Sequence, residues 1–90
     1  MKKSVVIKVY GKVQGVSFRY YTREKAIGLD VAGFVKNVDD GSVYIEAEGE
    51  EEKVNELIKW CKHGPSSARV DKIVVGENKW QGFSGFEIRK

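Results

Sequence analysis

The alternation of apolar and polar positions near the start of the chain predicts a β-strand. Val5, Ile7 and Val9 are apolar at every second position, whereas Lys8 between them is charged. A period of two places alternate side chains on opposite faces of a sheet, so one face of this strand is suited to a core. We expect Gly11 to end the strand.

The spacing of apolar residues then changes to that of an α-helix. Positions at intervals of four, four and three lie on one side of a helix, and here they are Phe18, Thr22, Ala26 and Leu29. We therefore predict a helix over residues 19–29. A second helix is predicted after the acidic triplet at residues 50–52, because negative charge stabilises the positive end of a helix. Its apolar positions are Val54, Leu57, Ile58 and Cys61.

The remaining segments predict strands. Residues 31–38 are rich in types that favour strands, and an Asp-Asp-Gly turn signal at residues 39–41 separates them from an alternating run at residues 43–48. Together they predict a β-hairpin. Residues 68–75 predict a fourth strand, and residues 86–89 leave room for a short fifth strand after a loop around Trp80.

This order of elements, β-α-β-β-α-β, predicts the fold class. It is typical of an α+β protein with a ferredoxin-like split β-α-β sandwich, in which two helices cover one face of an antiparallel four-stranded sheet. The chain has 90 residues and contains no linker-like stretch, so we expect a single domain over residues 1–90. Such a fold serves many functions, and the activity must be inferred from the site.

Composition and charge indicate which partners and which cellular compartment to expect. The 16 basic and 13 acidic side chains give a formal charge of +3, which favours anionic ligands. Because the basic residues are interspersed with acidic ones, we do not expect nucleic acid as the partner. A single cysteine, Cys61, excludes an intrachain disulfide and fits a reducing compartment, so we expect a cytoplasmic protein. The first apolar run is interrupted at Lys8, and no membrane partner is expected.

Residues 11–19, GKVQGVSFR, lead from the first strand into the first helix and have the features of a phosphate-binding loop. Gly11 and Gly15 allow a tight turn, and the helix that follows offers its positive N-terminal end. Arg19 can add a two-pronged guanidinium contact to an anion. The alternative for Arg19 is a structural ion pair with a carboxylate such as that of the chain terminus at Lys90.

A second cluster, GFVKNVDDGSV at residues 33–43, contains Asn37 near the far end of the second predicted strand. A carboxamide carries both a donor and an acceptor and does not titrate. Asn37 can therefore hold a water molecule in one orientation. The alternative is an ordinary strand-end or turn residue.

Taken together, the two clusters resemble the acylphosphatase family. The pattern G-x-V-Q-G-V-x-F-R matches residues 11–19, and G-x-V-x-N-x-x-D-G-x-V matches residues 33–43, both in full. The likeness extends over almost the whole chain, including residues 64–70 and 86–89. It implies a small free-standing hydrolase that splits the carboxyl–phosphate bond of acyl phosphates into a carboxylate and inorganic phosphate, with no metal and no organic cofactor.

The resemblance also assigns roles to residues. It implies that Arg19 binds the phosphoryl group and that Asn37 orients the attacking water. Backbone amides of the loop would surround the phosphoryl oxygens, and with Arg19 the loop residues are Gln14, Gly15, Val16, Ser17 and Phe18. The partner implied is an acyl phosphate, with inorganic phosphate as product and inhibitor. We expect a monomer, because all these residues lie within one compact unit.

Two other readings of the same chain are open. The first is a non-catalytic module that binds an anion or single-stranded RNA, in which bases stack on aromatic side chains; the candidates are Tyr20, Tyr21, Phe34 and Tyr44. Residues 32–37 lack the aromatic pair of an RNP1 sequence, which disfavours RNA. The second is a carbamoyl-phosphate-processing module of a larger maturation enzyme. We expect a free-standing enzyme instead, because this short chain shows no partner domain.

Overall fold

A computed structural model describes all 90 residues. Its elements in chain order are β1 (Lys2–Lys12), α1 (Phe18–Gly28), β2 (Ala32–Asn37), β3 (Val43–Glu50), α2 (Glu51–Cys61), β4 (Arg69–Glu77) and β5 (Phe86–Arg89). The predicted β-α-β-β-α-β order is confirmed, and the short fifth strand is formed. Neither helix, at 11 residues each, is long and apolar enough to cross a membrane.

The end of the first strand differs from the sequence-based expectation. Gly11 does not end β1, which continues to Lys12. The register of β1 against β4 shifts between Tyr10 and Gly11, so the strand passes through an irregularity and goes on pairing. A bulge of this kind bends a strand without terminating it, and here it directs the chain toward the loop before α1.

The sheet has the strand order β4-β1-β3-β2-β5. Neighbouring strands among the first four are antiparallel, but β5 pairs parallel with β2, with Val35 opposite Ile88. The predicted antiparallel four-stranded sheet is confirmed in β4, β1, β3 and β2, and the fifth strand, whose direction was not predicted, makes the whole sheet mixed. The reason is topological: the chain reverses after β4 and crosses to the far edge, where β2 also runs opposite to β4.

Both helices pack on the same face of the sheet, α1 on β2 and β5 and α2 on β1 and β3. The apolar residues on one face of the strands pack there against the apolar side of each helix, as the sequence patterns predicted. The core residues include Val5, Ile7, Val9, Phe18, Ala26, Val35, Val43, Ile45, Ala47, Val54, Leu57 and Cys61. The helices leave β4 largely uncovered, and most of its side chains are exposed.

The opposite face of the sheet is crossed by residues 78–85, which connect β4 to β5 and are called here the crossover segment. Glu48 on β3, only 1% exposed, anchors it. The backbone amides of Gln81 and Phe83 donate hydrogen bonds to its carboxylate at 2.8 and 2.6 Å. The Ser4 hydroxyl donates a third at 3.2 Å. These bonds hold the crossover segment that brings β5 beside β2.

Candidate active site

The segment between β1 and α1, residues 14–18, forms a loop rich in unpaired backbone donors and is called here the anion loop. Gly15 and Ser17 adopt left-handed conformations, with φ of 73° and 62°. Ser17 is the N-cap of α1, yet its side chain makes no capping bond. The amides of residues 15–20 donate no hydrogen bond to another backbone group. Free N–H groups at the positive end of a helix form a natural site for an anion.

Arg19 and Asn37 lie in one cleft of about 370 Å³, although they are on different elements. The remaining lining residues are Val13, Gly15, Ser17, Phe18, Tyr20 and Ile88. The structure thus brings both candidate catalytic residues together with three of the candidate loop residues. Gln14 and Val16 do not line the cleft, because the Gln14 side chain turns toward the β2–β3 turn and Val16 packs against the core.

Asn37 is the last residue of β2, and its side-chain oxygen Oδ1 is buried without a hydrogen-bond partner in the protein. Leaving a buried acceptor unpaired costs about 1–3 kcal/mol. Asn37 therefore borders the cleft with a carboxamide whose oxygen is not engaged by the protein.

Arg19 lies in the first turn of α1 and has no carboxylate partner. The ion pairs of the structure lie elsewhere, and none of them includes Arg19. The structural ion pair with the chain terminus, the alternative considered from the sequence, is not formed. The guanidinium is therefore available to an anion bound at the loop amides, where its planar fork can make two parallel contacts.

The side chain of Gln14 ties the anion loop to the turn that follows Asn37. Its Nε2 donates hydrogen bonds to the carbonyl of Val38 at 2.7 Å and to that of Ser42 at 2.9 Å. One carboxamide thus sets the position of the loop relative to the end of β2. Sequence analysis assigned Gln14 only a backbone contribution, because nothing in the local sequence indicates which carbonyls its amide reaches.

The β2–β3 turn is itself held by Asp40. Its carboxylate accepts hydrogen bonds from the hydroxyl and the backbone amide of Ser42, and Lys8 lies 3.3 Å away. The Ser42 hydroxyl, then its backbone amide and the Lys8 ammonium, lower the pKa of Asp40 to about 2. Asp40 is therefore ionised at neutral pH, and the carbonyl of Ser42 that receives Gln14 is fixed in place.

A further brace comes from the segment between α2 and β4. The Ser67 hydroxyl donates to the carbonyl of Val16 at 2.7 Å. In a planar trans peptide the N–H points opposite to the C=O, so this bond turns the next amide, that of Ser17, away from Ser67. Sequence analysis did not assign Ser67 to the site.

The ring of Phe18 anchors the start of α1 in the core. It is 1% exposed and lies against Trp60, with ring centroids 5.5 Å apart. A Cβ at Gly64 would lie 2.5 Å from the same ring, so this close approach requires glycine. Phe18 therefore contributes to the cleft chiefly through its backbone, and its side chain keeps the helix start in position.

The aromatic side chains considered for RNA binding do not form one platform. Phe34 is 6% exposed, covered by the ring of Phe83 at 5.7 Å and by the guanidinium of Arg89 at 3.9 Å. Tyr20 and Tyr21 lie on α1, on the other side of the sheet. Bases stacked on one group could not continue onto the other. No group of three or more His, Cys, Asp or Glu side chains is arranged to hold a metal ion.

Comparisons with a family model, with related sequences and with a solved structure agree with one another. The family model described as acylphosphatase matches residues 5–88. An acylphosphatase of Geobacter sulfurreducens is 44% identical and aligns over 99% of each chain. One of Mannheimia succiniciproducens is 50% identical over 98% of this chain and 93% of its own. The crystal structure of acylphosphatase from Bacillus subtilis superposes with a TM-score of 0.94, at 38% identity and covering all of both chains.

Proposed function

The chain belongs to the acylphosphatase family and hydrolyses the carboxyl–phosphate bond of acyl phosphates, and we propose that Arg19, Asn37 and the anion loop perform this reaction. The observation that carries the proposal is that Arg19 and Asn37 line one cleft together with the loop whose amides are free. A polar group that orients the water and an anion site beside it are the two requirements of phosphoryl transfer to water.

The phosphoryl group is bound by charge and by geometry. The free amides of the anion loop surround its equatorial oxygens, and Arg19 makes a two-pronged contact with them. Hydrogen bonds to charged groups contribute about 1.5–3 kcal/mol each. Because charge spreads over the equatorial oxygens in the transition state, these donors lower the barrier to phosphoryl transfer.

Asn37 positions the nucleophile. Its carboxamide holds the water by a hydrogen bond, and a lone pair of the water oxygen is directed at phosphorus. The new oxygen–phosphorus bond forms as the bond between phosphorus and the acyl oxygen breaks, and that electron pair leaves with the carboxylate. A carboxylate is a stable leaving group, so no general acid is required. The proton of the water passes to the phosphate itself.

Several further properties belong to this proposal. No metal takes part, since Arg19 and the loop amides supply the positive potential that a metal would otherwise provide. Inorganic phosphate occupies the same cradle and inhibits. All proposed site residues come from one chain, so a monomer is sufficient, and residues 1–90 act as a single domain in the cytoplasm.

The test follows the loss of benzoyl phosphate absorbance in the presence of a metal chelator. We expect the wild type to hydrolyse the substrate at the same rate with and without chelator. Arg19→Gln and Asn37→Ala should each lower kcat/KM by about a hundredfold or more, because each removes about 3 kcal/mol of transition-state stabilisation. Circular dichroism checks that both variants are folded.

Two further comparisons separate the roles. Asn37→Ala should keep its inhibition by phosphate, because water positioning and anion binding are separate tasks. Arg19→Lys should not restore activity, because a lysine presents a point charge and lacks the planar fork.

Near-normal turnover in Arg19→Lys would contradict the two-pronged contact, and loss of activity with chelator would contradict metal independence. A folded but inactive wild type would favour the non-catalytic anion-binding module, and RNA binding would be tested next.

A further inference from the structure

The apolar side chains that line the cleft differ sharply in exposure. Val13 and Phe18 are each 1% exposed and belong to the core. Tyr20 and Ile88, in contrast, are 50% and 41% exposed. A ligand that extends out of the phosphoryl site therefore meets these two apolar side chains. Sequence analysis considered Tyr20 only for base stacking and Ile88 only as a strand residue.

The two exposed side chains border the cleft from different elements. Tyr20 lies in the first turn of α1, and the ring of Tyr21 supports it edge-on, with centroids 5.0 Å apart and an interplanar angle of 78°. Ile88 lies on β5 directly opposite Val35. Alternation along β2 places Asn37 on the same face as Val35, so Ile88 is on the face of the sheet that carries the proposed water position.

The charge of the cleft is concentrated at one residue. Arg19 is the only charged side chain in the lining. The proposed function commits its guanidinium to the phosphoryl oxygens. A second anionic group on the substrate would find no further cation in the lining, and beside tyrosine and isoleucine it would gain no contact that compensates for the water it loses.

We propose that Tyr20 and Ile88 form the subsite for the acyl group, and that the enzyme selects acyl phosphates with an uncharged, apolar acyl chain. The proposal rests on the proposed function, since it takes the phosphoryl group to occupy the anion loop. Each methylene removed from water against these side chains favours the complex by about fourfold. Longer apolar chains gain from this contact, and chains that end in a carboxylate do not.

The test compares kcat/KM for acetyl, propionyl, butyryl and succinyl phosphate. Hydrolysis is measured as the release of inorganic phosphate. The three aliphatic carboxylates have similar basicity, so differences among them report contacts with the protein and not the intrinsic reactivity of the bond. For the wild type we expect kcat/KM to rise by about threefold or more from acetyl to butyryl phosphate. Succinyl phosphate should be a poorer substrate than butyryl phosphate.

Substitutions then assign the effect to residues. Tyr20→Ala and Ile88→Ala should each reduce the ratio of butyryl to acetyl phosphate kcat/KM toward one. Ile88→Lys places a cation at the subsite and should raise the ratio of succinyl to butyryl phosphate kcat/KM by about twofold to fivefold, the effect of one exposed ion pair. Ile27, 52% exposed on the same helix as Tyr20 but outside the cleft, supplies the control. Ile27→Ala removes the same atoms as Ile88→Ala, and Ile27→Lys adds the same charge as Ile88→Lys. Both Ile27 variants should keep the wild-type ratios of kcat/KM among the substrates.

The outcomes distinguish the subsite from the underlying activity. Equal kcat/KM along the aliphatic series in the wild type would overturn the subsite, and this arm needs no variant. The subsite would also be overturned if both alanine variants kept the rise in kcat/KM from acetyl to butyryl phosphate. A shift toward succinyl phosphate in Ile27→Lys as large as that in Ile88→Lys would overturn it as well. A folded wild type that hydrolyses none of the four substrates would overturn the proposed function itself.

Discussion

At the residue scale, one side chain connects the two halves of the candidate site. Gln14 lies in the anion loop, and both carbonyls that it contacts lie in the turn after Asn37. The distance between the anion loop and Asn37, the two parts of the proposed site, therefore depends on two hydrogen bonds from a single carboxamide.

We expect Gln14→Ala to lower kcat by about tenfold to a hundredfold and to weaken inhibition by phosphate, because the loop loses its tie and its amides no longer converge. This combination differs from that of Asn37→Ala, which should retain phosphate inhibition. The measurements are kcat and the inhibition constant of phosphate at fixed pH.

Gln81→Ala is the matched control for this prediction. The side chain of Gln81 donates only to the nearby carbonyl of Lys79, and its backbone bond to Glu48 survives the substitution. It should leave both constants unchanged. If Gln14→Ala behaved in the same way, the tie would have no part in catalysis.

The sequence predicted some of the residues of the candidate site but not the contacts that hold them in place. Motif spacing pointed to Arg19 and Asn37, and the structure brings the two into one cleft. The acceptors of the Gln14 side chain are 24 and 28 positions away, and Ser67 is 51 positions from the carbonyl that it contacts. Such pairings are invisible in a local pattern because they depend on how distant segments pack.

At the element scale, the crossover segment decides where β5 lies. It is held by a buried carboxylate, that of Glu48, which accepts two backbone amides and one hydroxyl. An ionised carboxylate is buried at acceptable cost only when its oxygens are satisfied in this way. Because β5 carries Ile88, this anchor also places one wall of the cleft.

We expect Glu48→Gln to lower the free energy of unfolding by about 2–3 kcal/mol, since the new amide group turns a donor toward a backbone N–H and removes charge-assisted bonds. Urea unfolding followed by circular dichroism measures the change. Glu56→Gln, an exposed position on α2, alters net charge equally and should change stability by less than about 0.5 kcal/mol. Equal stabilities of the two variants would contradict the anchoring role.

The elements themselves were well predicted, because the period of apolar positions is a local property. The apolar stripe of α2, for example, includes Val54, Leu57 and Cys61, and all three are buried. The direction of β5 was not predicted. Its four residues carry no information about which strand they join, and only the path of the crossover segment places them parallel to β2.

At the scale of the whole molecule, a single core joins both helices to the sheet. Cys61 on α2 lies inside it with no exposed surface. Burial raises the pKa of its thiol to about 12, so the reactive thiolate is essentially absent at neutral pH in the folded protein. The thiol reports on opening of the core.

We expect iodoacetamide at neutral pH to label native Cys61 at least about a thousandfold more slowly than the urea-unfolded chain, since labelling requires opening of the core. Mass spectrometry measures both rates. If Cys61 is reached by global unfolding, Glu48→Gln should accelerate labelling of the native protein by the same factor by which it raises the unfolding equilibrium constant. A native rate within tenfold of the unfolded rate would show that the core opens locally around α2.

The sequence by itself determined the helices, the strands, the fold class and the two residues on which the proposed chemistry depends, because periodicity and motif spacing are properties of neighbouring positions. Tertiary structure alone decided the parallel pairing of β5, the burial of Glu48 beneath the crossover segment, and the place of Ile88 at the cleft. Glu48 illustrates the reason: it meets the amide of Phe83, 35 positions later in the chain. Whether a polar side chain is buried and satisfied depends on which distant segment comes to lie against it.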